Sequence, residues 1–437
     1  MINSILLAGI FFISFLQVMN TTDLNAQNTG LKYDDRVYQK DIKTVLLHRE
    51  GWELSYPIIE LNEEENILEL SFDDLGSDRP TYSYTIIHCD AEWNGSNLAP
   101  SEYIDGFISY DVLDYNYSFN TYMNYTHYTL KIPNENTRLK LSGNYVIKVY
   151  QDYDEDNIVL TKRFTVVETM VSIAAEVRRP VMTKYRNTSQ QVNFDINYEG
   201  VDIADPITEV KIAIVQNNRW ETAITNLKPL FYRNNSLDYT YQEGNIFPGL
   251  REFRYFDIKS VRYVSEKVKE ISFSRPFYHA YLYPISIPMH PKYFFDNDLN
   301  GKYLVDIQEE QNSALDADYL HVHFTLEYPA PELDGGIYVM GNLSNWNTTQ
   351  ENKMNYNFET KSYELDLLLK QGYYDYLFGY LPNNADFADI AFLEGSSYET
   401  ENDYLIYVYY RGYTSRFDRL IGVEIINTLN EQDERQF

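Results

Sequence analysis

Residues 42–47 (IKTVLL), 54–61 (LSYPIIEL) and 67–72 (ILELSF) open the stretch 42–168, whose reading decides the fold. Each run is short and apolar or alternating. Gly51 and the acidic turn 62–66 separate them, as turns separate half-buried strands. The pattern continues through YSYTIIHCDAEW from Tyr82, DYNYSFNTY from Asp114, YTLKIPNE from Tyr128 and LSGNYVIKVYQD from Leu141. It predicts strand after strand and contains no catalytic signature.

The rest of the chain reads the same way. Its 437 residues exceed what one hydrophobic core organises, so two to four domains are expected. The 42 Tyr and 23 Phe, with runs of Val and Ile, favour strands, and the expected class is all-β. Residues 31–168 form a first block, closed by the hairpin 145–150, an acidic turn and 159–167. A middle block, 169–318, opens with VSIAAEVRRP at Val171 and ends near Asp318. A C-terminal block, 319–437, begins with LHVHFTL, is punctuated by Pro329 and Pro331, and ends in the polar NEQDERQF. Turn signals at sandwich spacing predict about three tandem Ig-like β-sandwiches.

At net charge −29 the chain is a poor partner for nucleic acid or an anionic membrane surface. Residues 5–18 are an apolar stretch of signal-peptide length, with a cleavage-like site after Ala26, although no Lys or Arg precedes it. Removing residues 1–26 as a signal peptide takes away one charged side chain, Asp23, and leaves −28. No later segment reaches the ~20 apolar residues of a membrane helix. The expectation is a soluble, exported protein without a membrane span. Cys89 is the only cysteine, which rules out an intramolecular disulfide and a Cys-based zinc site.

The search for chemistry returns isolated features. His321 and His323 lie two apart, so on a strand they share one face, but a metal site needs a third ligand that the neighbourhood does not supply. His88 and Cys89 should point to opposite faces, and no basic residue adjoins Cys89 to activate it. Asp296, Asp298, Asn300 and Gly301 match the start of a calcium loop, yet Ile307 stands where a bidentate Glu is required, and a tight Asn-Gly hairpin explains the same residues. Asp152, Asp154, Glu155 and Asp156 read as a solvated hairpin tip. No cofactor and no metal are expected, and the reading is of a protein that is not an enzyme.

The stretch 42–168 resembles the first domain of the plug proteins of the type IX secretion system. Four features carry the resemblance in order: SYPIIEL, the Ile-His-Cys-Asp segment ending at Trp93, Ser-Phe-Asn-Thr at 118–121, and Ser-Gly-Asn-Tyr at 142–145. It extends to later blocks through GGIYVMGNLSNWN and SSYETENDYLIYVYYR. The resemblance implies a periplasmic subunit that associates with the giant outer-membrane β-barrel translocon and closes its periplasmic opening when no substrate occupies it. The longest irregular stretch of the first block, 90–111, is expected to supply contacts through Trp93, Tyr103 and Phe107, or else to cap its own sandwich. The alternative is a carbohydrate-binding surface protein, because residues 335–347 are similar to glycogen- and starch-binding Ig-like modules, with Trp346 as the stacking residue and Tyr356, Tyr374 and Tyr376 downstream.

Overall fold

Strand Gly143–Gln151 shows how the first sandwich is built. Tyr145, Ile147 and Val149 face one core, while Val146 between them packs with Cys89 and Trp93 on the other side. That is the period of two expected of a strand covered on both faces. The strand lies between Asp154–Val167 and Tyr82–Cys89, with Arg36–Val37 and Ser109–Asp111 outermost and Ile58–Glu60 added in parallel. Opposite stands a second sheet of Ile42–Arg49, Leu68–Asp74, Thr126–Ile132 and Asp114–Tyr117. Phe72, Leu70 and Leu130 from this sheet meet Tyr84, Tyr145 and Phe164 from the other in one core.

This computed structural model describes residues 30–63, 65–76, 80–233, 235–287, 293–309 and 312–429. The chain divides into two units, Met1–Leu31 and Lys32–Phe437, and among the described residues every strand lies in the second. The expected signal peptide, 1–26, and the polar end, 430–437, lie outside the described residues. The protein is all-β: among the described residues each α-helix is four residues long, and none is long and apolar enough to cross a membrane.

The expected boundary near 318 is not where the sheets divide. Val210–Gln216 pairs antiparallel with Asp403–Tyr410, which pairs with Arg419–Asn427. These three strands face Ser172–Arg178 and Ser189–Asn197 across a core containing Phe194, Ile212, Tyr239, Tyr404 and Ile406. Between them in sequence lies a complete third sandwich. Gly372–Pro382 carries Arg254–Asp257, Tyr303–Val305 and Gly335–Met340, and opposes a sheet centred on Tyr319–Glu327 and Ser362–Lys370. Phe256, Phe324, Ile337 and Phe378 fill this core. The three sandwiches are therefore not in tandem, because the third is inserted into the second. Alternation specifies which face a strand buries but not its neighbour, and the boundary was missed for that reason.

The two crossings into and out of the inserted sandwich run side by side. Ser397 N donates to Leu250 O at 2.9 Å, Leu250 N to Ser396 Oγ at 3.0 Å, and Asn402 Nδ2 to Gly249 O at 2.8 Å. A Cβ on Gly249 would lie 1.9 Å from the Ser397 carbonyl oxygen, so only glycine fits. Gly249→Ala is expected to destabilise the chain by about 1–3 kcal/mol through this overlap. An unchanged urea midpoint would refute the tight crossing.

Candidate interaction surface

Residues 107–122 pass from the edge of one sheet of the first sandwich to the edge of the other. Ser109–Asp111 is the outer strand beside Tyr82–Cys89, and Asp114–Tyr117 the outer strand beside Thr126–Ile132. An outer strand offers unpaired backbone groups along its free side. The side chains here are apolar as well: Phe107, Leu113, Tyr115, Tyr117, Phe119 and Tyr122 are all exposed, Phe119 at 72%. Exposed large apolar groups scattered singly need no explanation, but several along one edge segment mark a candidate contact surface.

The segment is held in place. Phe119 N donates to Leu315 O at 2.9 Å, and Asp318 accepts from Tyr122 N at 2.8 Å and Met123 N at 3.1 Å. Tyr125 Oη donates to the Ala317 carbonyl at 2.9 Å. The ring of Tyr122 lies 4.7 Å from that of Phe273 and 5.5 Å from Tyr278, so the aromatic run continues onto the inserted sandwich. A rigidly held aromatic surface loses little side-chain entropy on contact.

Of the three contact residues expected from sequence, one belongs to this surface. Phe107 is 56% exposed and stacks on Tyr110 at 5.4 Å. Trp93 is buried, its ring edge-on to Trp220 at 5.0 Å and under the guanidinium of Arg163 at 4.4 Å. Tyr103 is buried against His88 and Tyr145, and its hydroxyl donates to Ile86 O at 3.3 Å. Both are interior groups and cannot meet a partner as the chain is folded. Nor is 90–111 irregular: it holds the short helix Pro100–Tyr103 and the strand Ile104–Gly106, which pairs with Thr137–Leu139. The run from Leu113 to Phe119 escaped the sequence reading because apolar residues two apart look like the buried face of a strand.

The other candidates resolve as follows. His279, on the neighbouring strand Phe277–Leu282, joins His321 and His323. Its Nδ1 lies 3.0 Å from His323 Nε2, and its ring stacks on both others within 5.2 Å. The rings are stacked rather than converging, and no group of metal-ligating side chains is formed among the described residues. Asn300 and Gly301 take φ of 53° and 81°, a tight turn whose N–H groups at Leu299 and Gly301 are accepted by Asp375 Oδ2 at 2.5 and 3.2 Å. Asp152 and Tyr153 form an exposed hairpin tip. Cys89 is buried and its thiol is pushed up to about 12 by that burial, the reverse of an activated nucleophile. Trp346 is buried beneath the guanidinium of Arg219 at 4.8 Å, and Tyr374 and Tyr376 are core residues. Trp346, Tyr374 and Tyr376 therefore offer no open ring face for a sugar to stack on, and Tyr356 packs edge-on against Phe358 and Tyr363.

Comparison with known proteins agrees with the first sandwich in particular. Residues 42–168 match the family described as the type 9 secretion system plug protein 1st domain. No curated protein matches the chain. Among solved structures, a hypothetical protein from Parabacteroides merdae ATCC 43184 is similar at 38% identity, covering 91% of this chain and 100% of that one, with a TM-score of 0.87.

Proposed function

We propose that this chain, whose residues 42–168 match the type 9 secretion system plug protein 1st domain, is a non-enzymatic plug subunit of that system. On this reading it is periplasmic, sits against the giant outer-membrane β-barrel translocon, and closes the periplasmic opening when no substrate occupies the pore. The observation that carries the reading is the set of exposed aromatic side chains at Phe107, Tyr115, Tyr117, Phe119 and Tyr122, all inside the matched domain. Closing a wide pore requires adhesive area and a stiff body. Aromatic side chains supply the first, and are the residues that dominate protein contacts. The hydrogen bonds of Asp318 to the same segment supply the second.

The test is copurification with the translocon from outer-membrane extracts. Leu113, Tyr115 and Phe119 are exposed, so replacing all three with serine should leave the fold intact. Recovery of the large barrel with the variant should fall at least about tenfold, since clustered aromatic contacts carry most of the affinity. Cells lacking the protein should admit large solutes normally excluded, and only while the translocon is present. Undiminished recovery with the folded variant would displace the contact from this surface, and unchanged permeability in the deletion strain would remove the plug role.

A further inference from the structure

The three sandwiches meet along a seam that contains a cleft of about 280 Å³. Arg163 from the first sandwich, Trp220 and Tyr407 from the second, and Asn345 and Trp346 from the inserted third line it. The carboxylates on its wall are already matched: Asp34 meets Arg36 at 2.8 Å, Asp35 meets Lys162 at 3.0 Å, and Glu221 meets Arg219 at 2.8 Å. Arg163 has no such partner. Its Nε donates to the Tyr33 carbonyl at 2.6 Å, its two terminal nitrogens meet no acceptor among the described residues, and the side chain is half-buried on the cleft wall. The guanidinium carbon lies over the ring of Trp93 at 4.4 Å and over that of Trp220 at 6.0 Å. A guanidinium seated over an aromatic ring, with its two terminal nitrogens unengaged, can take a planar anion in two parallel hydrogen bonds. Burial draws the Arg163 guanidinium down, and the charges of Asp35, Asp34, Cys89 and Glu221 pull it partway back.

We propose that this cleft binds a compact carboxylate with a flat apolar body, the carboxylate on Arg163 and the body against the half-buried Trp220. The volume suits a molecule of amino-acid size rather than a folded partner. This site lies apart from the aromatic edge, and the proposal does not depend on the plug reading.

Three of the four tryptophans in the chain, Trp93, Trp220 and Trp346, line the cleft, so intrinsic fluorescence reports its occupancy directly. With the full-length protein, benzoate should change the emission saturably in the millimolar range, and benzamide, of the same shape without the charge, should bind at least about tenfold more weakly. Arg163→Gln should weaken benzoate by at least about tenfold and leave benzamide unchanged. A tripeptide ending in phenylalanine separates the two sources of such a group: competition with benzoate assigns the site to a chain terminus, and no competition assigns it to a free acid. If Arg163→Gln does not fold, the comparison of benzoate with benzamide on the unaltered protein still decides. No saturable response to benzoate, equal binding of benzamide, or full benzoate affinity in folded Arg163→Gln would each overturn the proposal.

Discussion

Replacing Lys370 with methionine is expected to destabilise the protein by about 3–5 kcal/mol, because it leaves a carboxylate buried without its cation. Lys370 Nζ lies 2.6 Å from Asp73 Oδ2, and both side chains are fully buried. Asp73 also accepts from the Tyr319 hydroxyl at 2.6 Å and is 2.7 Å from His127 Nδ1, while Lys370 donates a second bond to the Ala314 carbonyl at 2.7 Å. Burial draws the Lys370 ammonium down and Asp73 pulls it back up, so the charged pair persists only as a pair. Asp73 belongs to the first sandwich, and Lys370 and Tyr319 to the inserted one, so the cost falls on the junction between them. Adding Asp73→Leu to Lys370→Met should recover part of the loss, since removing both charges removes the unpaired one. Urea unfolding measures both. A loss below about 1 kcal/mol in the single variant would mean that water already reaches this pair.

The second large effect is on acid stability. His88 stands over Gly143 and packs against Tyr145 at 4.9 Å and Phe417 at 5.6 Å, and burial pushes its imidazole from 6.5 down to about 4. Asp418 and Asp90 favour its charged form, Arg411 opposes it, and desolvation outweighs them. A folded pKa below the unfolded one means that the unfolded chain takes up the proton first. The stabilisation from a neutral His88 is therefore complete above about pH 6.5 and lost as the pH falls toward 4, amounting to about 3 kcal/mol across that window. His88→Phe keeps a ring in the site and abolishes the titration. The stability difference between the two proteins should be flat above pH 7 and move steadily in favour of the variant down to pH 4. Asp298 and Asp375, raised by burial to about 7 and about 8, give the opposite slope, but they do so in both proteins and cancel in the difference. A difference that does not vary with pH would show that His88 is protonated without penalty.

Much of the chain is legible in its sequence. Alternation was enough for the all-β class and for opposite faces at His88 and Cys89, and turn chemistry was enough for the turns at Asp152 and at Asn300 and Gly301. The ordered wording of the first domain was enough for its family. These are local properties: whether a residue faces up or down, or takes a positive φ, follows from its own chemistry and that of its neighbours in sequence. The insertion of one sandwich in another, the burial of Trp93, Tyr103 and Trp346, the third imidazole at His279 and the unengaged terminal nitrogens of Arg163 were not legible in this way. Each depends on which element lies against the second face of a strand. Asp73 and Lys370 are 297 residues apart, and nothing in either sequence neighbourhood announces the other. Alternation assigns a side chain to a face, but whether that face meets solvent, a partner or another sandwich is set by the packing of the whole chain, and here that packing buried the expected contact residues and left the edge from Phe107 to Tyr122 open.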